Sequence, residues 1–295
     1  MMLKFQPPGF GKRSVFTELG QVVYYTQASS LWRPASDQVM FFHNFGGGAS
    51  AYEWSKVYAT LAAQYTVIAP DLIGWGASAH PVHRYTVADY LVNLESFISQ
   101  TATGPIVAVA SSFTAGLMVR LAAQKPHLFS LLFLTCPSGF RDFGKGAGRR
   151  LPEPIINTPF LDTLIYTLGA TNDLAVRNFL ENFLFYKPER LSEEIISAYL
   201  ESAQQPNAEY SALSFLRGDL YFDLTPYIKA LKVPTAMVWG EDAKFTTVSL
   251  GRRLAQLNPE AIQRFQVVSE TGVLPQLEQP GPVAALLLDW LQAKK

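Results

Sequence analysis

Buried-strand signatures alternating with helical periodicity constrain this chain more than any other feature. Short apolar runs closed by Gly, Pro or Asp occur at Gln38–Phe42, Tyr65–Ala69, Pro105–Ala110 and Leu131–Thr135. A fifth run, Thr235–Trp239, comes much later, and a weaker sixth is Arg264–Val268. Runs of this length are apolar on both faces, which is the pattern of strands covered from both sides. Between them, Tyr52–Gln64, Val87–Ser99 and Thr114–Gln124 carry apolar residues at helical spacing. Strand, helix and strand in alternation predict an α/β architecture, a mostly parallel central sheet with helices on both faces. The opening segment Val15–Thr26 alternates in the manner of an antiparallel edge hairpin.

The alternation breaks once. About a hundred residues separate Leu131–Thr135 from Thr235–Trp239 and carry prolines at 152, 154, 159, 188 and 206 between helical stretches. Leu161–Leu168, Asp173–Phe183, Ser192–Ser202 and Glu209–Arg217 are the candidate helices. We read this stretch as a helical cap, residues 141–225, inserted between the sixth and seventh strands of a core formed by 1–140 and 226–295. Its aromatic residues Phe179, Phe183, Phe185 and Tyr186 are expected to pack as its core, with a ligand-facing role as the alternative.

Composition narrows the function classes. Lys+Arg and Asp+Glu are equal at 24 each, so the chain lacks the basic excess that drives nucleic-acid binding. One cysteine makes no internal disulfide, and four histidines leave little material for a His-rich metal site. No cofactor and no metal are implied. No apolar run approaches the ~20 residues that span a bilayer, so the expectation is a cytoplasmic chain without a transmembrane segment.

Three loops follow strands and carry chemistry. His43-Asn44-Phe45-Gly46-Gly47-Gly48 is a Gly-rich turn whose backbone N–H groups suit an oxyanion. Asp71-Leu72-Ile73-Gly74-Trp75-Gly76-Ala77-Ser78 follows the next strand. Ala110-Ser111-Ser112-Phe113-Thr114 places a serine between small neighbours at a strand-to-helix turn, the steric requirement of a nucleophile elbow. Phe113 would then present its N–H at a helix start, a natural anion site. Helix capping by the serine is the bland alternative.

In this order the three loops resemble those of the α/β-hydrolase superfamily, in its epoxide-hydrolase and C–C-hydrolase-like branch, with HGxxG, DxxGxGxS and GxSxG after successive strands. Pro234–Gly240 and Leu274–Pro280 extend the resemblance, which runs roughly from Val22 to Leu291. It implies an α/β-hydrolase fold, with Ser112 as nucleophile and a pocket lined by His43, Asn44, Phe45 and Phe113. The family's histidine belongs in the pattern G-H-x-P-x-x-E-x-P, where this chain reads Gly272-Val273-Leu274-Pro275. Its acid belongs in W-G-x-x-D, where Ala243 stands and Asp242 comes one place early. Ala110, Thr114 and Asn44 replace glycines of the motifs.

None of the four histidines is an obvious substitute. His43 is structural by analogy, His80 and His83 look solvent-facing, and His127 lies at the far end of the helix that follows the elbow. Removing a triad histidine costs on the order of 10⁶-fold in rate, so ordinary Ser–His–Asp hydrolysis is not expected. The leading expectation is a degenerate hydrolase-like protein that binds a small apolar ligand or a protein partner. The alternative is an active serine hydrolase (an esterase or C–C hydrolase) or a lyase, using Ser112 with a non-standard base.

Overall fold

The computed structural model describes residues 2–28, 37–144 and 171–294. Its strands are β1 (Phe10–Thr17), β2 (Gly20–Gln27), β3 (Gln38–Phe42), β4 (Thr66–Pro70), β5 (Ile106–Ser111), β6 (Phe129–Thr135), β7 (Thr235–Gly240) and β8 (Ile262–Val268). They form one sheet in the order β1-β2-β4-β3-β5-β6-β7-β8. β1 and β2 form the antiparallel edge hairpin, and β2 also runs antiparallel to β4. All later pairings are parallel.

The helices are α1 (Ser55–Tyr58), α2 (Val87–Thr101), α3 (Ser112–Gln124), α4 (Asp173–Phe179), α5 (Glu193–Ala203), α6 (Glu209–Leu216), α7 (Thr225–Ala230), α8 (Val248–Ala255), α9 (Pro275–Glu278) and α10 (Pro280–Gln292). Period-two alternation along each strand divides the core in two. Val39, Phe41, Val107, Val109 and Val238 face the side covered by Trp54, Val57, Leu287 and Trp290. Met40, Phe42, Ala108, Leu134 and Met237 face the side covered by α2, α3 and α7. Helices therefore flank the sheet on both sides, and the predicted α/β class holds.

The segment Tyr52–Gln64 departs from the single helix its periodicity predicts. It forms a 3-10 turn (Ala51–Trp54), then α1, then a second 3-10 turn (Ala59–Leu61). Ala51, Tyr52, Glu53 and Trp54 are all buried in succession. One α-helical face cannot bury four consecutive side chains, and the change of pitch accommodates them.

Between β6 and β7, the described residues contain α4, α5, α6 and α7, while Leu161–Leu168 lies outside them. The four named aromatic residues do not share one environment. Phe185 is fully buried, whereas Phe183 is 45% exposed, stacked on Phe245, and Tyr186 is also exposed. The segments around Gly139 and Phe222 meet side by side. Phe222 N–H donates to Gly139 O (2.8 Å), and the buried Asp142 carboxylate accepts from Ser138 Oγ (2.8 Å) and from the Leu224 N–H (3.0 Å). Among the described residues, no helix is long and apolar enough to cross a membrane.

Candidate active site

β5 ends at Ser111 and α3 begins at Ser112, with no connecting loop. Such a reversal forces Ser112 into the left-handed region, at φ 51°. That conformation costs a non-glycine residue roughly 1–2 kcal/mol, and it lifts the side chain to the carboxyl edge of the sheet. The Ser112 hydroxyl makes no hydrogen bond among the described residues and is half-buried. Phe113 follows, buried, with its N–H among the unpaired donors of the helix start. The tight turn needs room four residues beyond Ser112. A Cβ at Gly116 would lie 2.6 Å from the Ser138 carbonyl oxygen.

Thr114, which stands where the family motif has glycine, has a specific partner. Its hydroxyl donates to the His43 carbonyl (2.6 Å), and both residues are fully buried. The elbow is thereby braced against the Gly-rich loop.

His43 occupies both ring nitrogens inside that loop. Nε2 accepts from Leu72 N–H (2.9 Å), so Nδ1 carries the proton and donates to Asn44 O (2.7 Å). Burial pushes its pKa down to about 4. Asn44 is buried, with its Oδ1 accepting from Gly46 N–H. Phe45 packs in an aromatic group with Trp75, Tyr90, Phe113 and Phe215, at centroid distances of 4.5–6.3 Å. Phe113 in turn meets Phe140 and Phe222.

The loop after β4 is organised by Asp71. Its carboxylate is fully buried and accepts from Ala51 N–H (2.7 Å), Ala77 N–H (2.8 Å) and Tyr25 Oη (3.1 Å). Burial still raises its pKa to about 6, against the pull of those donors.

Val273 is buried in the core, and its N–H donates to Leu184 O (2.9 Å). The preceding Gly272 lies under the same segment, where a Cβ would fall 2.3 Å from Leu184 O. Glu278 fixes the crossing from below. It accepts from the N–H groups of Gly272 (2.5 Å), Tyr186 (3.1 Å) and Lys187 (3.1 Å). Ala243 is buried, while Asp242 is half-buried and donates its N–H to Thr271 O (2.9 Å). The Asp242 carboxylate has no hydrogen bond or ion pair among the described residues.

The other histidines stand apart. His80 is half-buried rather than simply solvent-facing as expected, with Nε2 near Gly76 O (3.1 Å) and its pKa lowered by desolvation. His83 pairs with Asp89 (3.1 Å). His127 is exposed in the turn after α3, at the opposite end of that helix from Ser112.

Sequence reasoning missed Glu53. Its side chain is buried beneath the elbow, bonded to Ser111 Oγ, to Asn44 N–H (2.9 Å) and to Gln276 Nε2 (2.7 Å). Burial raises its pKa to about 7. The available signal was a lone charge in the otherwise uncharged run Ala49–Trp54. Among the described residues no group of three or more His, Cys, Asp or Glu is arranged to hold a metal ion. A cleft of about 10 Å³ beside Val22, Ile73, Tyr90 and Phe97 does not include Ser112.

Comparison with known proteins agrees with the topology. The uncharacterized hydrolase YugF of Bacillus subtilis is 25% identical over 281 residues, covering 94% of this chain and 97% of that protein. A 2-hydroxy-6-oxononadienedioate/2-hydroxy-6-oxononatrienedioate hydrolase of Pseudomonas sp. is 24% identical, covering 86% and 87%. The crystal structure of a serine hydrolase involved in carbazole degradation superposes with a TM-score of 0.76 at 19% identity, covering 96% of this chain and 99% of that one. The model of the alpha/beta hydrolase family matches residues 39–286, and with the strand order and the three post-strand loops this establishes that the chain belongs to the α/β-hydrolase family.

Proposed function

We propose that this chain is a catalytically degenerate α/β-hydrolase-like protein that binds a small apolar ligand, or a protein partner, beside Ser112. The site lies between a core of residues 1–140 and 226–295 and a cap of 141–225, in a cytoplasmic protein. The observation that carries this reading is Val273. On the family pattern it stands where the proton-accepting histidine belongs, and a buried valine accepts no proton. His43 offers no replacement, because both its ring nitrogens are already engaged. An unactivated serine is a weak nucleophile near neutral pH. The aromatic group around Phe45 and Phe113 favours an apolar occupant.

A second reading has its own support. The strained φ of Ser112 suits a working nucleophile, and the relatives named above are called hydrolases. In this reading Ser112 acts with a non-standard base as an esterase, C–C hydrolase or lyase. A fluorophosphonate probe separates the two. Degeneracy predicts no stoichiometric labelling of Ser112 within hours. Rapid one-to-one labelling that disappears in Ser112→Ala overturns it.

A further inference from the structure

We propose that Glu53 is the titrating, positioning residue of this site: one buried carboxyl that ties the elbow, the Asn44 loop and the Val273 loop together and alters their fit when it gains or loses a proton. The proposal concerns the site described above and holds whatever that site binds.

The geometry comes first. Glu53 sits on the 3-10 turn Ala51–Trp54, and its carboxyl reaches three separate pieces of backbone. Oε2 accepts from Asn44 N–H in the Gly-rich loop. Oε1 meets Ser111 Oγ, the residue immediately before Ser112. Oε1 also accepts from Gln276 Nε2 on α9, three residues beyond Val273. The one carboxyl thus hydrogen-bonds to all three loops.

Among the described residues no positive charge compensates the Glu53 carboxylate. His43 is neutral and committed to Leu72 and Asn44. Asp71 is held by Ala51, Ala77 and Tyr25, and Glu278 is turned to Gly272, Tyr186 and Lys187. Tyr199, from α5, is a fully buried phenol whose pKa is raised by burial and further by Glu53. Tyr52 is turned away to Glu194 (2.7 Å). A carboxylate here relies on three neutral donors alone, and burial raises its pKa to about 7.

Gln276 supplies the second state. Its Oε1 is buried without a hydrogen-bond partner. Turning the amide over therefore forfeits no existing bond at its far end. Facing ionised Glu53, Gln276 presents an N–H; facing the protonated acid, it presents its carbonyl and accepts. The proton on Glu53 thus selects the orientation of Gln276, and with it the seating of α9 and the loop that carries Val273.

The test is a ¹⁵N–¹H NMR titration of the full chain from pH 5 to 9, without ligand. We expect the Asn44 backbone amide and the Gln276 side-chain amide to shift with one shared midpoint near 7. In Glu53→Gln, which keeps the shape and removes the ionisation, that shared titration disappears. Signals flat across the range in the wild type, or a titration that survives Glu53→Gln, overturns the proposal. If Glu53→Gln fails to fold, Ser111→Ala decides. Loss of that donor raises the midpoint by roughly one pH unit, a tenfold change in proton affinity, and an unmoved midpoint overturns the proposal. Failure of a ligand to saturate the site bears on the proposed function alone.

Discussion

Thr114→Val removes one hydroxyl and keeps the shape of the side chain. In the folded protein that hydroxyl donates to the carbonyl oxygen of His43 at 2.6 Å, and both residues are fully buried. The valine methyl occupies the same space and donates nothing. Among the described residues no other donor reaches that oxygen, so the carbonyl is left desolvated and unpaired. A buried acceptor orphaned in this way costs about 1–3 kcal/mol. The β-branched shape and the helical backbone are unchanged, so helix propensity contributes only a few tenths of a kcal/mol. Urea denaturation followed by tryptophan fluorescence is the assay. A cost of about 2 kcal/mol lowers the midpoint by roughly 1 M at a slope near 2 kcal/mol/M. The slope itself should be unchanged, because the unfolded chain exposes the same surface. A Thr114→Val protein as stable as the wild type would mean that the elbow is not braced by this bond, and that threonine at a glycine position is mere tolerance.

The remaining expectations concern charge, space and chemistry. Glu53 holds its proton more tightly folded than unfolded. Its contribution to stability is therefore complete below about pH 4.5 and is lost as the pH rises through about 7, a change of roughly 3 kcal/mol. His43 has the opposite sign: its contribution is complete above about pH 6.5 and is lost as the pH falls through about 4, again by roughly 3 kcal/mol. The two nearly cancel in the wild type, so stability measured by denaturation in Glu53→Gln should fall more steeply than wild type between pH 6.5 and 4.5. Parallel curves for the two proteins would falsify the assignment. Gly116→Ala drives a Cβ to 2.6 Å from the Ser138 carbonyl and should lower stability by about 2–3 kcal/mol, seen as a lower thermal midpoint. Val273→His combined with Ala243→Asp is expected to raise hydrolysis of small aryl esters above the single variants. No gain at all would show that missing side chains are not what limits the site.

The sheet was legible because its strands are buried on both faces, and continuous apolar runs such as Gln38–Phe42 have few other uses in a chain of this size. The sharp turn at Ser112 was legible from the small residues around it. Partnership was not. Thr114 reads from sequence only as a replacement for a motif glycine, and the three-dimensional approach of the His43 carbonyl explains its hydroxyl. Glu53 was invisible for the same reason: Asn44, Ser111 and Gln276 are 9, 58 and 223 positions away from it. Periodicity reports which face a residue points to, but not which distant polar group meets it there. The same limit applied to His80, where a local turn half-buries a residue whose sequence surroundings look exposed.

The crossing of Leu184 over Gly272 and Val273 has a mechanical consequence. One margin of the segment after α4 is stapled to the sheet side of the protein by the Val273–Leu184 bond and by Glu278 holding Tyr186 and Lys187. A margin hydrogen-bonded on both sides opens locally less readily than the exposed turns of the same segment. Amide exchange at Val273, Tyr186 and Lys187 should accordingly be among the slowest in that region, even in conditions that speed exchange along α4. The loop that carries Gly272 and Val273 thus serves as an anchor for the segment that follows α4.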